Sequence, residues 1–274
     1  MKKQWFVSLG LLGLSFMSEA AMITVATDDA NNYGDQWAGN GGTGFDAWHF
    51  ITDSASGSAG NFLASKSGNT DLNHIASNPS DKAWGTYANG AGFNQFEAYR
   101  GFTDNSLQQT GDRIQLSIEH GAITQGGAAG FTLRNQNTHD DIGDYNQLSR
   151  FEFGFIGGQQ HYSIFDDSGV IDTGIGFTDA GLNLSLSLLS DNDYQLDIFN
   201  AFDGSLIQSR NGVLAGSGSI DSVALYNRDT ELANVYFNGL SITTDNAISV
   251  PEPASWMTLA LGLTGLLLRK KLSS

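Results

Sequence analysis

The chain contains no cysteine. A thiol nucleophile, a thiolate metal ligand and a stabilising disulfide are all excluded by that absence. Proline is nearly missing as well, with Pro79, Pro251 and Pro253 as the whole complement. Basic residues number 13 against 29 acidic ones, for a formal net charge of −16. Nothing in such a balance neutralises phosphates, so nucleic acid is not a partner. No apolar run reaches the roughly 20 residues that a relaxed transmembrane helix prefers. Outside the two termini no long stretch has the 3.6-residue apolar period of a helix. His49, His74, His120, His139 and His161 form no close pair, so no zinc signature exists. A Gly-x-Ser-x-Gly nucleophile elbow is also missing.

What the chain does have is alternation. Arg113-Ile114-Gln115-Leu116-Ser117-Ile118-Glu119 switches polarity at every residue, as a half-buried strand does. The same period runs through Arg150 to Phe155, His161 to Phe165, Leu182 to Leu188, Tyr194 to Phe199, Ile220 to Tyr226 and Val235 to Ile242. Between these runs lie turn formers: Asp166-Asp167-Ser168-Gly169, Ser190-Asp191-Asn192-Asp193 and Phe202-Asp203-Gly204-Ser205. Asp203-Gly204 reads as a hairpin turn. The 34 glycines have no period of three and fit numerous tight turns. Many short strands at even spacing predict an all-β fold, a two-sheet antiparallel sandwich of jelly-roll type. The segment 31–92 is richer in Gly, Asn and Ser, and is expected to supply edge strands and loops on one face.

The two ends differ from this body. Lys2 and Lys3 precede an apolar run from Trp5 to Phe16, and Ser18-Glu19-Ala20 offers small residues for cleavage. That order is a secretory signal peptide over 1–20, read by the general secretion machinery. At the other end Val250-Pro251-Glu252-Pro253-Ala254-Ser255 leads into an uncharged run to Leu268, then Arg269-Lys270-Lys271. Each proline fixes φ and biases its predecessor away from helix, so the motif is expected to be extended and accessible to a protease. The run from Ala254 to Leu268 is a short hydrophobic helix that crosses the inner membrane only with local thinning. The three basic residues form the membrane stop and stay in the cytoplasm, which leaves the motif outside. The domain plan is thus 1–20, a sandwich over 21–249, and a sorting segment over 250–274.

This tail resembles the PEP-CTERM signal of Gram-negative bacteria, on Val250 to Ser255, the Leu/Gly-rich segment and Arg269-Lys270-Lys271. The resemblance implies exosortase as a partner and transient anchoring in the inner membrane. It further implies release to the cell surface or exterior, often among exopolysaccharide producers. Removing both ends leaves a body with 8 basic and 27 acidic residues, a net −19. The strand pattern from Gly111 to Ile242 resembles the concanavalin A-like lectin and glucanase sandwiches. That resemblance implies a concave sheet face or loop rim able to hold a sugar chain.

Candidate chemistry in the body is sparse. A glycosidase needs two carboxylates, one of them a general acid. The body glutamates are Glu97, Glu119, Glu152 and Glu231, and none falls in a Glu-x-Asp-x-x-Glu spacing. Glu152 sits between Phe151 and Phe153, so alternation sends it to the opposite, solvent face. Gln160-His161-Tyr162 resembles part of the Gln-x-His strand of some jelly-roll lyases, but here glutamine and histidine are adjacent. Alternation separates His161 from Gln160 and Tyr162. Calcium is a candidate ligand of oxygen-rich turns carrying Asp166, Asp167 and Asp172, Asp191, Asn192 and Asp193, or His139, Asp140, Asp141 and Asp144. The same residue types are what any β-turn prefers. Trp37 and Trp84 lie in Gly/Asn-rich surroundings and are candidate sugar-stacking platforms, while Trp48, with Phe45 and Phe50 nearby, belongs in the core. The expectation is an exported carbohydrate-binding or matrix protein that needs no cofactor and has no catalytic residues. A secreted lyase or glycosidase of jelly-roll fold is the alternative.

Overall fold

The computed structural model describes residues 21–76, 78, 80–103, 107–135, 148–231 and 233–246. Residues Ile23–Asp245 form one compact unit. The strands, in chain order, begin with β1 (Ala21–Asp28), β2 (His49–Ser54), β3 (Ser58–Ser65), β4 (Lys82–Asn89) and β5 (Asn94–Gly101). They continue with β6 (Arg113–His120), β7 (Ala128–Arg134), β8 (Ser149–Ile156), β9 (His161–Asp166) and β10 (Gly169–Gly176). The last are β11 (Leu182–Leu188), β12 (Asp193–Asn200), β13 (Leu206–Val213), β14 (Ser222–Arg228) and β15 (Val235–Asn246). Only two short 3₁₀ turns interrupt them among the described residues. None of the described residues forms a helix long and apolar enough to cross a membrane. The sorting motif, the membrane stop and the two apolar terminal runs lie outside the described residues.

The strands divide into two antiparallel sheets. One runs β13-β12-β11-β6-β15-β4-β3, with β1 also pairing β15. The other runs β10-β9-β8-β7-β14-β5-β2. The core lies between them, and alternation put it there. Leu182, Leu184, Leu186 and Leu188 of β11 all point inward and are buried, as are Ile114, Leu116 and Ile118 of the neighbouring β6. From the facing sheet come Phe151, Phe153 and Phe155 of β8 with Tyr162 and Ile164 of β9. Burying a side chain of this size stabilises by about 1.5–3 kcal/mol.

Two expectations need correction. The segment 31–92 does not serve one face: β2 closes an edge of the seven-stranded sheet, while β3 and β4 belong to the other. It also supplies core. Trp37 and Trp84 stack at 5.9 Å between ring centroids, and Trp48 packs edge-on against each at 5.3 Å. The strand expected from Ile220 starts at Ser222, and Ile220 makes only an isolated bridge to Leu107.

Buried polar groups tie loops to this core. Arg100 of β5 reaches inward and pairs with Asp28, and it donates from Nε to the Asp46 carbonyl at 2.8 Å. Its other nitrogen donates to Asn40 Oδ1 at 2.6 Å. The guanidinium lies over Trp48 and Phe45, 4.6 and 4.8 Å from the ring centroids. The Tyr33 hydroxyl donates to the same Asp28 at 2.6 Å, and burial pushes its pKa up to about 12. In the other sheet, the Glu119 carboxylate accepts three consecutive main-chain N–H groups, from Asn73, His74 and Ile75, at 2.7 to 3.1 Å.

Candidate functional site

The two tryptophans singled out as sugar platforms are not platforms. Trp84 on β4 is 0% exposed and Trp37 is 2% exposed, because both belong to the three-indole cluster. An indole stacked on another indole inside the core has no face for a ligand. Trp37 nevertheless lines a groove of about 480 Å³ at the margin where β2 and β3 run. The other walls are Asp35, Gln36 and Ala38, Phe50 of β2, and Asn61, Phe62 and Leu63 of β3. Phe50 meets Trp37 edge-on at 5.2 Å and is half-buried. Phe62 is also half-buried, and it lies against Gly85 of the adjacent strand: a Cβ there would meet its ring at 2.6 Å. Asn61 donates from its side chain to the Trp37 carbonyl at 3.0 Å and holds the 35–38 loop against the strand. Phe62 alternates with Asn61 and Leu63, so its ring packs on the other face of the sheet beside Tyr236, and the groove combines the half-buried Phe50 ring with carboxylate, amide and carbonyl groups. That mixture suits a ligand with apolar faces and many hydroxyls.

The outward face of the seven-stranded sheet holds the second concentration of polar groups. Glu152 of β8 does lie opposite Phe151 and Phe153, but it is not the solvent-facing residue expected: it is buried. Its carboxylate accepts from the Tyr226 hydroxyl at 2.7 Å. Burial holds its pKa above the ordinary carboxylate value, against the opposing effect of that hydrogen bond and of Arg228. Tyr226 stands on β14, so its ring must cross β7 to reach β8. Two glycines leave room for it. A Cβ at Gly130 would meet the Tyr226 oxygen at 2.8 Å, and one at Gly154 would meet it at 2.4 Å. On the far side Tyr226 is paired across the ladder with Glu97, which accepts from Gln95. His49 stacks on Tyr99 at 5.1 Å, with the Arg134 guanidinium 5.8 Å from the same ring. Glu97 and Glu152 are three strand spacings apart, about 14 Å between backbones. A pair of hydrolytic carboxyl groups works at roughly 5 to 9.5 Å.

The aspartates are not gathered into a calcium site. Among the described residues no three His, Asp or Glu side chains cluster to hold a metal. Asp166, Asp172 and Asp193 are instead occupied locally. Asp166 accepts from the Tyr194 hydroxyl at 2.7 Å and from Ser168 N–H at 2.8 Å. Asp172 pairs with His161 at 2.9 Å and accepts Gly174 N–H at 2.7 Å, and the His161 bond lowers its pKa. Asp193 accepts from Ser190 Oγ at 2.7 Å within its own turn. Asp167 sits in the β9–β10 turn, where its N–H donates to the Val213 carbonyl at 3.0 Å. Asp191 lines a separate polar groove of about 420 Å³, with Asn192, Leu107, Gln108 and 217–219. The group 139–144 lies outside the described residues.

His161 and Tyr162 part as alternation requires. His161 takes Asp172 as its partner, and Tyr162 turns inward. There the Tyr162 hydroxyl meets Nε2 of His120 at 2.9 Å, while Nδ1 of His120 lies 2.7 Å from the Gly121 carbonyl. The carbonyl only accepts, so Nδ1 carries the proton and Tyr162 donates to Nε2. Phe155 and Phe177 complete the surroundings, and burial pushes the His120 pKa down to about 4. Sequence inspection had no signal for this pairing, because the two residues belong to different sheets.

A family model described as the PEP-CTERM protein-sorting motif matches residues 249–271. The chain thus carries an exosortase-substrate signal for export with transient membrane anchoring. No curated protein is significantly similar to the chain. Among solved structures, a legume lectin-like domain from Entamoeba histolytica is 10% identical, covering 58% of this chain and 82% of that one, with a TM-score of 0.42. The VIP36 exoplasmic/lumenal domain in its Ca2+/Man3GlcNAc-bound form is 6% identical over 72% and 83%, with a TM-score of 0.45. An endo-beta-1,4-glucuronan lyase from Trichoderma reesei is 8% identical over 68% and 87%, with a TM-score of 0.44. At these values the likenesses carry no inference about activity.

Proposed function

We infer that the body is a non-catalytic carbohydrate-binding or matrix component, delivered by its sorting signal to the surface or exterior of a Gram-negative cell. The observation that carries this reading is the groove at the β2/β3 margin. Phe50 offers a half-buried ring, and Asp35, Gln36 and Asn61 offer hydrogen-bonding groups beside it. A pyranose has one apolar face and a rim of hydroxyls, which such a wall complements. The strongly acidic body favours a neutral glycan over an acidic one. Exopolysaccharide is the partner this reading names, and no cofactor is required by it.

The test is a glycan array followed by titration of the best neutral oligosaccharide. Phe50→Ala and Asn61→Ala are each expected to weaken binding by about tenfold, the equivalent of roughly 1.4 kcal/mol. Wild-type-like affinity in both variants, with fold retained, rejects this groove as the site. An array without any glycan hit rejects the carbohydrate-binding reading in favour of a matrix component without a glycan partner.

A further inference from the structure

On β6, β11 and β12 the even-numbered residues Ile114 to Ile118, Leu182 to Leu188 and Tyr194 to Ile198 fill the core. The odd-numbered ones therefore stand on the outward face of the eight-stranded sheet. In the middle of that face are Gln115 and Ser117 of β6, Asn183 of β11 and Phe199 of β12. None of them carries a formal charge, although the body as a whole is strongly acidic. The carboxylates next along the strands are already engaged. Glu119 holds three main-chain N–H groups, and Asp197 accepts from Gln195 Nε2 at 3.0 Å.

Beside them β15 is irregular. Asn238 pairs with Ser117 and Ser241 with Gln115, so three steps on β15 match two on β6 and the strand carries one extra residue. Gly239 absorbs it at φ +66°, where a side chain is strained. The missing side chain leaves a gap in the outer layer: a Cβ at 239 would lie 3.6 Å from Ser117 Oγ. A cleft of about 220 Å³ opens there and crosses four strands, from Gly239 and Ser241 over Gln115, Ser117 and Asn183 to Phe199. Its polar groups are positioned but not used up. Ser117 Oγ donates to Asn183 Oδ1 at 2.7 Å, which fixes the amide and leaves its Nδ2 without a partner among the described residues. The side chains of Gln115, which is exposed, and of Ser241 make no hydrogen bond there either. Asn183 is paired with Ser117 on one side and with Phe199 on the other, so the half-buried ring stands next to the amide.

We propose that this cleft is a second carbohydrate site, which takes a pyranose unit of a neutral glycan. The Phe199 ring complements the apolar face of a sugar, and the free amides and hydroxyl of Asn183, Gln115 and Ser241 complement its hydroxyls. The short side chain of Ser117 and the bare Gly239 let a flat ring come close to the sheet. Because the lining is uncharged, a neutral ligand desolvates no ion on entering. An anionic sugar finds no cation in the lining, and the acidic body repels it. The ligand class rests on the carbohydrate reading above, but no residue is shared with the groove at the β2/β3 margin. β3 and β6 are three strand spacings apart in the sheet, about 14 Å between backbones. A chain with both sites can bridge two polysaccharide strands, and such bivalence raises avidity without any new contact.

The full chain, purified in detergent, is titrated calorimetrically with neutral gluco- and manno-hexasaccharides, and with hexagalacturonate as the acidic control. Wild type is expected to bind a neutral hexasaccharide at two sites per chain and hexagalacturonate far more weakly. Phe50→Ala is expected to leave one site. In that background Phe199→Ala and Asn183→Ala are each expected to raise the remaining Kd by about tenfold, with melting temperature checked for each. Gln115→Ala alters an exposed side chain without a protein partner, so it tests the cleft at unchanged fold, and about a threefold rise is expected. Cleft variants that all bind like their parent overturn the proposal while the β2/β3 groove stands. Loss in the cleft variants with no effect of Phe50→Ala keeps the cleft and rejects the groove. Tighter binding of hexagalacturonate than of the neutral probes, or no binding of any probe, overturns the proposal.

Discussion

Asp28 and Arg100 show how a single residue pair can fix the position of a loop. Arg100 is fully buried, and desolvation lowers its pKa while Asp28 opposes that loss. Removing one partner strands a charge in the core. Asp28→Ala is therefore expected to cost about 3–5 kcal/mol in urea unfolding, and Arg100→Met in the same chain is expected to recover part of it. His120 makes a second prediction, with a definite sign. Its folded pKa of about 4 lies below the ordinary value of 6.5, so folding favours the neutral ring. Its contribution is complete above pH 6.5 and is lost as pH falls toward 4, on the order of 3 kcal/mol in all. Urea midpoints measured between those limits are expected to fall steeply for wild type and less for His120→Gln. Neither pair was legible in the sequence, since Asp28 and Arg100 are 72 positions apart and His120 and Tyr162 are 42 apart. No local pattern encodes contacts of that range.

Elements were far more legible than contacts. The run Leu182–Leu188 was read with its bounds intact, because a strict period of two in leucine leaves no alternative. β7 and β13 escaped notice for opposite reasons. Ala-Ala-Gly-Phe-Thr-Leu-Arg of β7 is buried on both faces and shows no alternation, whereas β13 is largely exposed and polar. The assignment of Glu152 to solvent failed in the same way: alternation gives the face, not what covers it. The crossing of β7 by Tyr226 makes a test at this scale. Gly154→Ala places a methyl 2.4 Å from the Tyr226 oxygen and 2.8 Å from the Ala129 carbonyl. It is expected to cost about 1–3 kcal/mol by thermal unfolding. Tyr226→Phe in the same background is expected to restore part of that stability, because the oxygen that clashes is gone. The tryptophans were misjudged for another reason. Their Gly/Asn-rich neighbours signalled loops; Trp37 does lie in one, but that loop folds it inward over the sandwich margin, while Trp84 sits within β4 and points into the core.

At the scale of the whole molecule, a two-sheet sandwich carries a C-terminal sorting signal. The tail was the most legible feature of all, since a sorting signal is read as linear sequence and needs no fold. Mass spectrometry of the mature protein is expected to find a new N-terminus after Ala20. It is also expected to show loss of the apolar segment beyond the Pro251-Glu252-Pro253 motif only in cells that contain exosortase. Calcium makes a further test at this scale. Asp166, Asp172 and Asp193 already accept hydrogen bonds from their own neighbours. Millimolar calcium is expected to leave the melting temperature essentially unchanged, as is EDTA. A rise of several degrees would point to a site built from other oxygens.

The packed indoles have a practical corollary. Of the five tryptophans, Trp5 lies in the segment expected to be a signal peptide and Trp256 in the sorting segment. Once those ends are gone, every remaining indole belongs to the Trp37, Trp48 and Trp84 cluster. The emission spectrum of the secreted form then has a single origin, inside the sandwich margin beside the groove. A blue-shifted band that reddens on unfolding would report maturation and integrity together, without any added dye.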